Sequence, residues 1–362
     1  MSAGACELLA ELVAIPSVSG EEGPAADRAQ AQLERAGVPV ERLGDNVLAS
    51  IGGGGPRLLF NSHLDTVPVG ADWTRDPYAA VWEGERLYGR GSNDAKASVA
   101  AMIEAVISLH REGGLEGRVL LALTTCEETR NTGMARVLEH VGRPDGAVTG
   151  EPTGLEVVRA QSGLAVLTAQ WSGRSCHAAH VGRVEHANAI LAAAGELAGF
   201  PACLSLEGAH PLLGESTVAV TVLNAGERHN VVPDRAEAVF DVRLAPPHTA
   251  LDAVRAIEAR LPAARVGVRS QRLGAIETPE DHPLVQAGLS AAGGSRAVGS
   301  HTLSDMALLD GVACIKCGPG ISARSHTADE FVLRSEVEAG ARFYRRFARL
   351  ALAALNAREV RS

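Results

Sequence analysis

Apolar and polar positions follow two rhythms along this chain. From Cys6 to Ala14 the apolar residues Leu8, Leu9, Leu12 and Val13 fall on one side, at the 3.6-residue spacing of an amphipathic helix. Residues 24–36 predict a second helix, closed by Gly37, and residues 97–110 a third, through Val99, Met102, Ile103, Val106 and Ile107. Between the helical stretches lie short continuous apolar runs, Leu58-Leu59-Phe60, Val119–Leu123 and Ala147-Val148, the pattern of strands buried on both faces. Residues 133–141 read as a helix, and Gly52–Gly55 as a hairpin turn before the first run. A phosphate loop is excluded there, because no helix opening on Lys-Ser/Thr follows. Strands alternating with helices predict an α/β fold with a doubly wound, mostly parallel sheet.

From Gly163 the character changes. Residues 164–172, 216–224, 236–244 and 264–270 alternate as strands, 186–199 read as a helix, and Thr249 caps another that runs to about Leu261. This β-α-β-β-α-β order is the ferredoxin-like pattern. It predicts a small α+β domain, residues 163–274, inserted into a larger one made of residues 1–162 and 275–362. The chain returns through a helix at 283–292 and a strand at 312–317, and ends in an amphipathic helix at 335–355.

Composition narrows the function. A length of 362 residues suits two domains. The net charge of -9 argues against a nucleic-acid partner, which needs a basic face. No apolar run approaches the ~20 residues of a membrane helix. The first residues already carry Glu7 and Glu11 and lack the shape of a signal peptide, so a cytoplasmic location is expected. Six cysteines in so long a chain do not make a disulfide framework. Cys314 and Cys317 match C-x-x-C but lie in a strand pattern with no helix after it, and read as buried thiols rather than a redox or zinc pair. Only Lys96 and Lys316 are lysines among 34 basic residues.

The candidate chemistry sits where buried strands should end. Those places hold His63-Leu64-Asp65, Asn93-Asp94-Ala95-Lys96, Glu127-Glu128, Gly150-Glu151-Pro152 and Ser325-His326-Thr327. In open α/β sheets functional groups gather beyond the carboxyl ends of the strands. Two imidazoles with four carboxylates beyond Asp65 suit two divalent metals sharing a carboxylate, with one carboxylate left as a base. Each signature alone has a plainer reading. Asp94 precedes a helix and would serve equally as its cap. Glu127 and Glu128, adjacent in extended chain, point to opposite sides, so one can bind metal while the other faces a water. His63 and Asp65, two apart, point the same way, and Asp65 then steadies the environment of His63. Their joint order and strand-end placement carry the argument.

These segments, with Tyr88–Lys96, Thr125–Glu128, Asn230-Val231-Val232-Pro233-Asp234 and Gly318 through Glu330, resemble the dinuclear zinc amidohydrolase family of acetylornithine deacetylase, succinyl-diaminopimelate desuccinylase, aminoacylases and glutamate carboxypeptidase. The resemblance covers essentially the whole chain, in order. It implies that Asp94 bridges two metals, that His63 and Glu151 complete one site, and that Glu128 and His326 complete the other. It implies Glu127 as general base, with Asp65 in support of His63. His177, with His180 as a nearby competitor, would reach over the site from the inserted domain, in many relatives from the partner subunit. Asn230 and Arg243 would hold the substrate carboxylate or the oxyanion, and Gly318 would contact substrate backbone. A cis peptide is implied at Asp94–Ala95. Ala97 stands where relatives often carry Gly, and suits the following helix better.

The implied activity is metal-dependent hydrolysis of an N-acyl amino acid. The expected cofactor is two zinc ions, with cobalt or manganese also able to bind. The expected assembly is a homodimer through the inserted lid domain. Thr302–Met306 and Gly318–His326 most resemble acetylornithine deacetylase-like members, so N-acetylornithine deacetylation in arginine biosynthesis is the main reading. N-acetylcitrulline deacetylase and succinyl-diaminopimelate desuccinylase are alternatives, the latter with Arg243, Arg296 or Arg324 meeting the succinyl carboxylate. A metallo-dipeptidase or carboxypeptidase, a metal-binding relative without catalysis, and a thiol-redox protein using Cys314 and Cys317 are the remaining rivals.

Overall fold

The first helical stretch becomes α1 (Ala3–Val13) and the second α2 (Gly23–Arg35). In this computed structural model, which describes residues 3–204, 206 and 208–359, an antiparallel ribbon follows: β1 (Val40–Leu43) and β2 (Asn46–Gly52). Next come β3 (Arg57–His63), β4 (Trp82–Glu83), β5 (Arg86–Tyr88), α3 (Lys96–Glu112), β6 (Arg118–Thr124), α4 (Thr132–Val141), β7 (Gly146–Thr149) and β8 (Val158–Gln161). The inserted stretch holds β9 (Gly163–Ser172), α5 (Ala189–Leu197), β10 (Thr217–Ala225), β11 (Arg235–Leu244), α6 (Ala250–Glu258) and β12 (Ala264–Leu273). The chain closes with β13 (Ile276–Glu277), α7 (Pro283–Ala292), β14 (Val298–Ser300), β15 (Cys314–Lys316), β16 (Phe331–Leu333) and α8 (Arg334–Glu359).

The main sheet has the order β1-β2-β6-β3-β7-β15-β8-β13, with β14 also on β8. Its centre, β6-β3-β7-β15, is parallel, and antiparallel pairs flank it on both sides. One expectation fails here. Gly52–Gly55 does not close a hairpin, because β6 lies between β2 and β3 and pairs with both. The glycines serve a close crossing instead: Gly52 has φ 78°, and a Cβ there would meet the Gly117 carbonyl oxygen at 2.3 Å.

The core explains the continuous apolar runs. Leu58, Leu59 and Phe60 of β3 are fully buried, as expected for a strand covered on both faces. Phe60 packs on Tyr344 and Phe347 of α8, with ring centroids 5.7 and 6.2 Å away. Truncating such a residue to alanine costs roughly 3–5 kcal/mol. Helix α3 is buried almost all round, and the small side chains Ala97, Ala100, Ala101 and Ala105 let α1, α8 and the sheet approach it closely. It ends at Gly113, φ 63°, with His110 and Arg111 in its last turn, a favourable charge at a helix C-terminus.

Contacts divide the chain into two units. One holds residues 1–159, 278–298 and 304–362; the other holds 160–277 and 299–303. The second unit contains a four-stranded antiparallel sheet, β10-β11-β9-β12, the strand order of a ferredoxin-like fold. Its own core is built on Trp171, Phe240, Leu167 and Ile257. Trp171 is fully buried and its indole N–H donates to Glu196 at 2.7 Å. Thr249 and Asp252 form a capping box on α6. A third, small sheet, β16-β5-β4, belongs to the first unit. Its register sets Phe331 opposite Tyr88, which draws Glu330 alongside the segment running into Asp94.

Candidate metal centre

Parallel register lines up the strand ends that carry the chemistry. His63, the last residue of β3, stands opposite Thr124, the last of β6, and Asn61 stands opposite Thr149, the last of β7. Glu127 and Glu128 therefore follow one neighbour of His63, and Glu151 the other. The His63 Nε2 atom lies 3.4 Å from Asp94 Oδ1 and 3.8 Å from Glu151 Oε2. On the far side of the same carboxylate, His326 Nε2 lies 3.5 Å from Asp94 Oδ2 and 2.9 Å from Glu128 Oε1. One carboxylate thus presents each oxygen to a different imidazole, and each imidazole has a second carboxylate of its own.

The electrostatics agree with a cation site. Burial disfavours charge on His63, yet the surrounding carboxylates of Asp65, Asp94 and Glu151 outweigh it and lift its pKa well above the ordinary histidine value. Burial pushes Glu127 well up, with Glu151, Asp305 and Glu128 adding like-charge repulsion. Burial likewise pushes Glu151 up to about 7. Asp94 is held low despite burial, chiefly by His63. Nitrogen and oxygen donors converging around a surplus of negative charge fit hard or borderline divalent cations. Among the described residues, donor atoms of His63, Asp94 and Glu128 come within 4.8 Å of one another.

Each donor is held by groups that spacing alone did not reveal. The closest partner of His63 Nδ1 is the Asp65 backbone carbonyl, 2.9 Å away, rather than the Asp65 carboxylate at 3.5 Å. That carboxylate accepts the backbone N–H groups of Glu127 and Glu128, at 3.0 and 3.1 Å, and the Ser19 hydroxyl at 2.7 Å. Asp65 therefore anchors the turn that carries the two glutamates. Glu127 and Glu128 are not in extended chain as expected; the turn begins at Cys126, φ 57°, whose carbonyl accepts from Arg130 and Asn131. The glutamates still diverge, Glu128 towards His326 and Glu127 towards Asn131 Nδ2 at 3.3 Å.

Glu330 does for Asp94 what Asp65 does for the glutamates. Its buried carboxylate accepts the N–H groups of Gly91, Asn93 and Asp94 at 3.2, 2.9 and 3.0 Å, and pairs with Arg90 at 2.6 Å. Asp94 does not cap α3; Ala95 occupies that position, and the Asp94–Ala95 peptide is cis. Lys96 is fully buried and donates to the carbonyls of Leu12 and Ile15 at 2.9 and 2.8 Å. Burial pushes its pKa down to about 7. The only clue to these roles in the sequence was proximity to a candidate ligand.

Gly318 lies against the same loop, where a Cβ would meet Ser98 Oγ at 2.5 Å and the Glu151 carbonyl at 2.7 Å. Its own carbonyl is taken by the N–H groups of Thr153 and Leu155, so it braces the Glu151 loop. Three further predicted residues belong to the second unit. His177 is exposed, its Nδ1 accepts from Ala179 N at 3.1 Å, and its ring lies 5.7 Å from that of His180. Asn230 accepts, through its carbonyl, from Ala178 N at 2.9 Å, which ties its segment to that of His177. Arg243 forks onto Asp241, at 2.8 and 3.2 Å.

Residues 59–350 match the model of Peptidase family M20/M25/M40. The chain belongs to that family. As a member of the M20/M25/M40 family it is a hydrolase acting on amide bonds. It is 35% identical over 267 residues to a succinyl-diaminopimelate desuccinylase of Rhodospirillum centenum, covering 67% of this chain and 68% of that one. Its fold matches the crystal structure of aminopeptidase PepT from Bacillus cereus with a TM-score of 0.81 at 18% identity, covering 98% and 99% of the two chains. It also matches Bacillus subtilis YXEP, described as a dinuclear metal-binding peptidase of the M20 family, with a TM-score of 0.74 at 19% identity and 97% of each chain covered. The desuccinylase name is one of the alternatives to N-acetylornithine deacetylation that the sequence left open. The relatives favour it, and they lend no support to a place in arginine biosynthesis. Among the described residues no helix is long and apolar enough to cross a membrane.

Proposed function

We propose that this chain is a metal-dependent deacylase of N-acyl amino acids, with N-succinyl-diaminopimelate as the leading substrate. The observation that carries amide hydrolysis is Asp94, whose two oxygens face His63 and His326 separately. The name of the Rhodospirillum centenum relative supports the succinyl group. The dinuclear description of the Bacillus subtilis protein supports two ions, and the mixed His and carboxylate donors suit zinc.

His63 and Glu151 would hold one ion, Glu128 and His326 the other, and Asp94 both. Bound there, such ions would supply Lewis-acid polarisation of the amide carbonyl and would acidify the attacking water. Glu127 accepts the proton of the attacking water and returns it to the departing amine, so that amide and water become carboxylate and amine. Asp65 and Glu330 keep the glutamate turn and Asp94 in register. His177, carried by the second unit, is the proposed donor to the oxyanion, and that unit is the proposed lid and dimer interface. Asn230 and Arg243 are proposed substrate contacts.

The test is amine release from N-succinyl-diaminopimelate, N-acetylornithine, N-acetylcitrulline and a plain dipeptide at fixed zinc. Preference for the succinyl substrate by an order of magnitude or more in kcat/KM is expected. Preference for the dipeptide would overturn the deacylase reading, and preference for an acetyl substrate would overturn the succinyl assignment.

A further inference from the structure

The Glu127 carboxyl is tied to the buried interior through the Asn131 amide. Asn131 Nδ2 donates to Glu127 Oε1 at 3.3 Å and to Asp305 Oδ1 at 3.0 Å. Asp305 is 1% exposed, and its other oxygen accepts from the Thr124 hydroxyl at 2.8 Å and from Asn61 Nδ2 at 3.3 Å. Asn61 and Thr124 lie on β3 and β6, the strands that lead to His63 and to the glutamate turn. A side chain remote in sequence therefore reaches Glu127 through one residue, from a base fixed on two rigid strands.

The chemistry dictates the direction of this link. An amide group offers two N–H donors on one side and an acceptor oxygen on the other. The amide nitrogen faces both carboxyl groups, so the bond to Asp305 fixes which way Asn131 faces. Both N–H groups are then spent, one on each carboxylate. The bond to Glu127 falls on Oε1, which leaves Oε2 outside this contact. Asn131 adopts the left-handed backbone, φ 52°, which Asn tolerates better than most residues.

We propose that Asn131 and Asp305 are positioning residues that orient Glu127 for proton transfer. This rests on the reading of Glu127 as the base. The network was not visible in the sequence, where Asp305 appeared only within the Thr302–Met306 resemblance and Asn131 not at all.

Three variants, Asn131→Gly, Asp305→Asn and Glu127→Gln, test it in the zinc-loaded full chain. Glycine suits the positive φ, so Asn131→Gly deletes the amide without straining the turn. Asp305→Asn keeps shape and is the second probe should the glycine variant fail to fold. Metal content, melting temperature, kcat and KM are measured for each. The expected result is a 10- to 100-fold fall in kcat for Asn131→Gly and Asp305→Asn, with KM and metal content unchanged. In the Glu127→Gln background Asn131→Gly should then cost nothing further, because the group it positions is gone. A kcat within twofold of wild type in both positioning variants, or full additivity with Glu127→Gln, overturns the proposal. If Glu127→Gln itself retains turnover, the assignment of the base fails instead.

Discussion

Removing the Glu330 carboxylate should cost more than removing the arginine it pairs with. Glu330 is 1% exposed and Arg90 2% exposed, so neither charge is solvated by bulk water. In Glu330→Ala the Arg90 guanidinium loses its 2.6 Å partner, and the N–H groups of Gly91, Asn93 and Asp94 lose their acceptor. Breaking a buried ion pair from one side costs roughly 3–5 kcal/mol. For a domain of this size each kcal/mol moves the melting point by about 2–4 °C, so a fall of roughly 10 °C is expected. In Arg90→Met the carboxylate keeps its three backbone donors, and the loss should be clearly smaller. The assay is calorimetric unfolding of both variants in chelator and in excess zinc, with metal affinity measured by competition. Because Glu330 holds the Asp94 backbone, Glu330→Ala should also weaken metal binding by about 10–100-fold. Equal melting points for the two variants, or unchanged metal affinity in Glu330→Ala, would refute the reasoning.

Other consequences follow from the same geometry. Glu127→Gln should keep its metal content and lose about 10²–10⁴-fold in turnover, the usual contribution of a general base; stoichiometry and kcat measured together check this. Chelation should lower the melting point, and zinc at a thousandfold over Kd should restore about 4 kcal/mol of stability, read by calorimetry with and without metal. Cys314 and Cys317 are fully buried, and burial pushes the Cys314 thiol up to about 12 and that of Cys317 higher still. Alkylation of the native protein at neutral pH should label exposed Cys203 and spare both, checked by peptide mass mapping; rapid labelling of the pair would revive the redox reading.

Local rhythm was readable where packing and propensity agree. Residues 283–292 were read as a helix and form α7 with those bounds, and the strands of the second unit fall within one to three residues of the pattern. The edge strand β1 and the small sheet β16-β5-β4 were missed, because strands of two to four residues lack a long apolar run. The glycine run was read as a hairpin because turn chemistry says where a chain bends but not which strand slides between its arms. In the candidate site His63, Glu127, Glu128 and Glu151 were legible as single residues at or just after strands, since strand ends in a parallel sheet converge; Asp94 and His326 come from turns instead. The supporting groups were not legible. Glu330 reaches Arg90 across 240 positions, and Asn61 reaches Asp305 across 244, distances over which no periodicity carries information.

The proposed cation pair sharing Asp94 is the centre of the proposed chemistry. The most direct test is to strip the protein with chelator, add zinc in measured equivalents, and follow amine release from N-succinyl-diaminopimelate at each step. The expected result is no release from the stripped protein and a rate that climbs and levels at two equivalents per chain. Full release before any metal is added, or a plateau without any release at two bound equivalents, would contradict it.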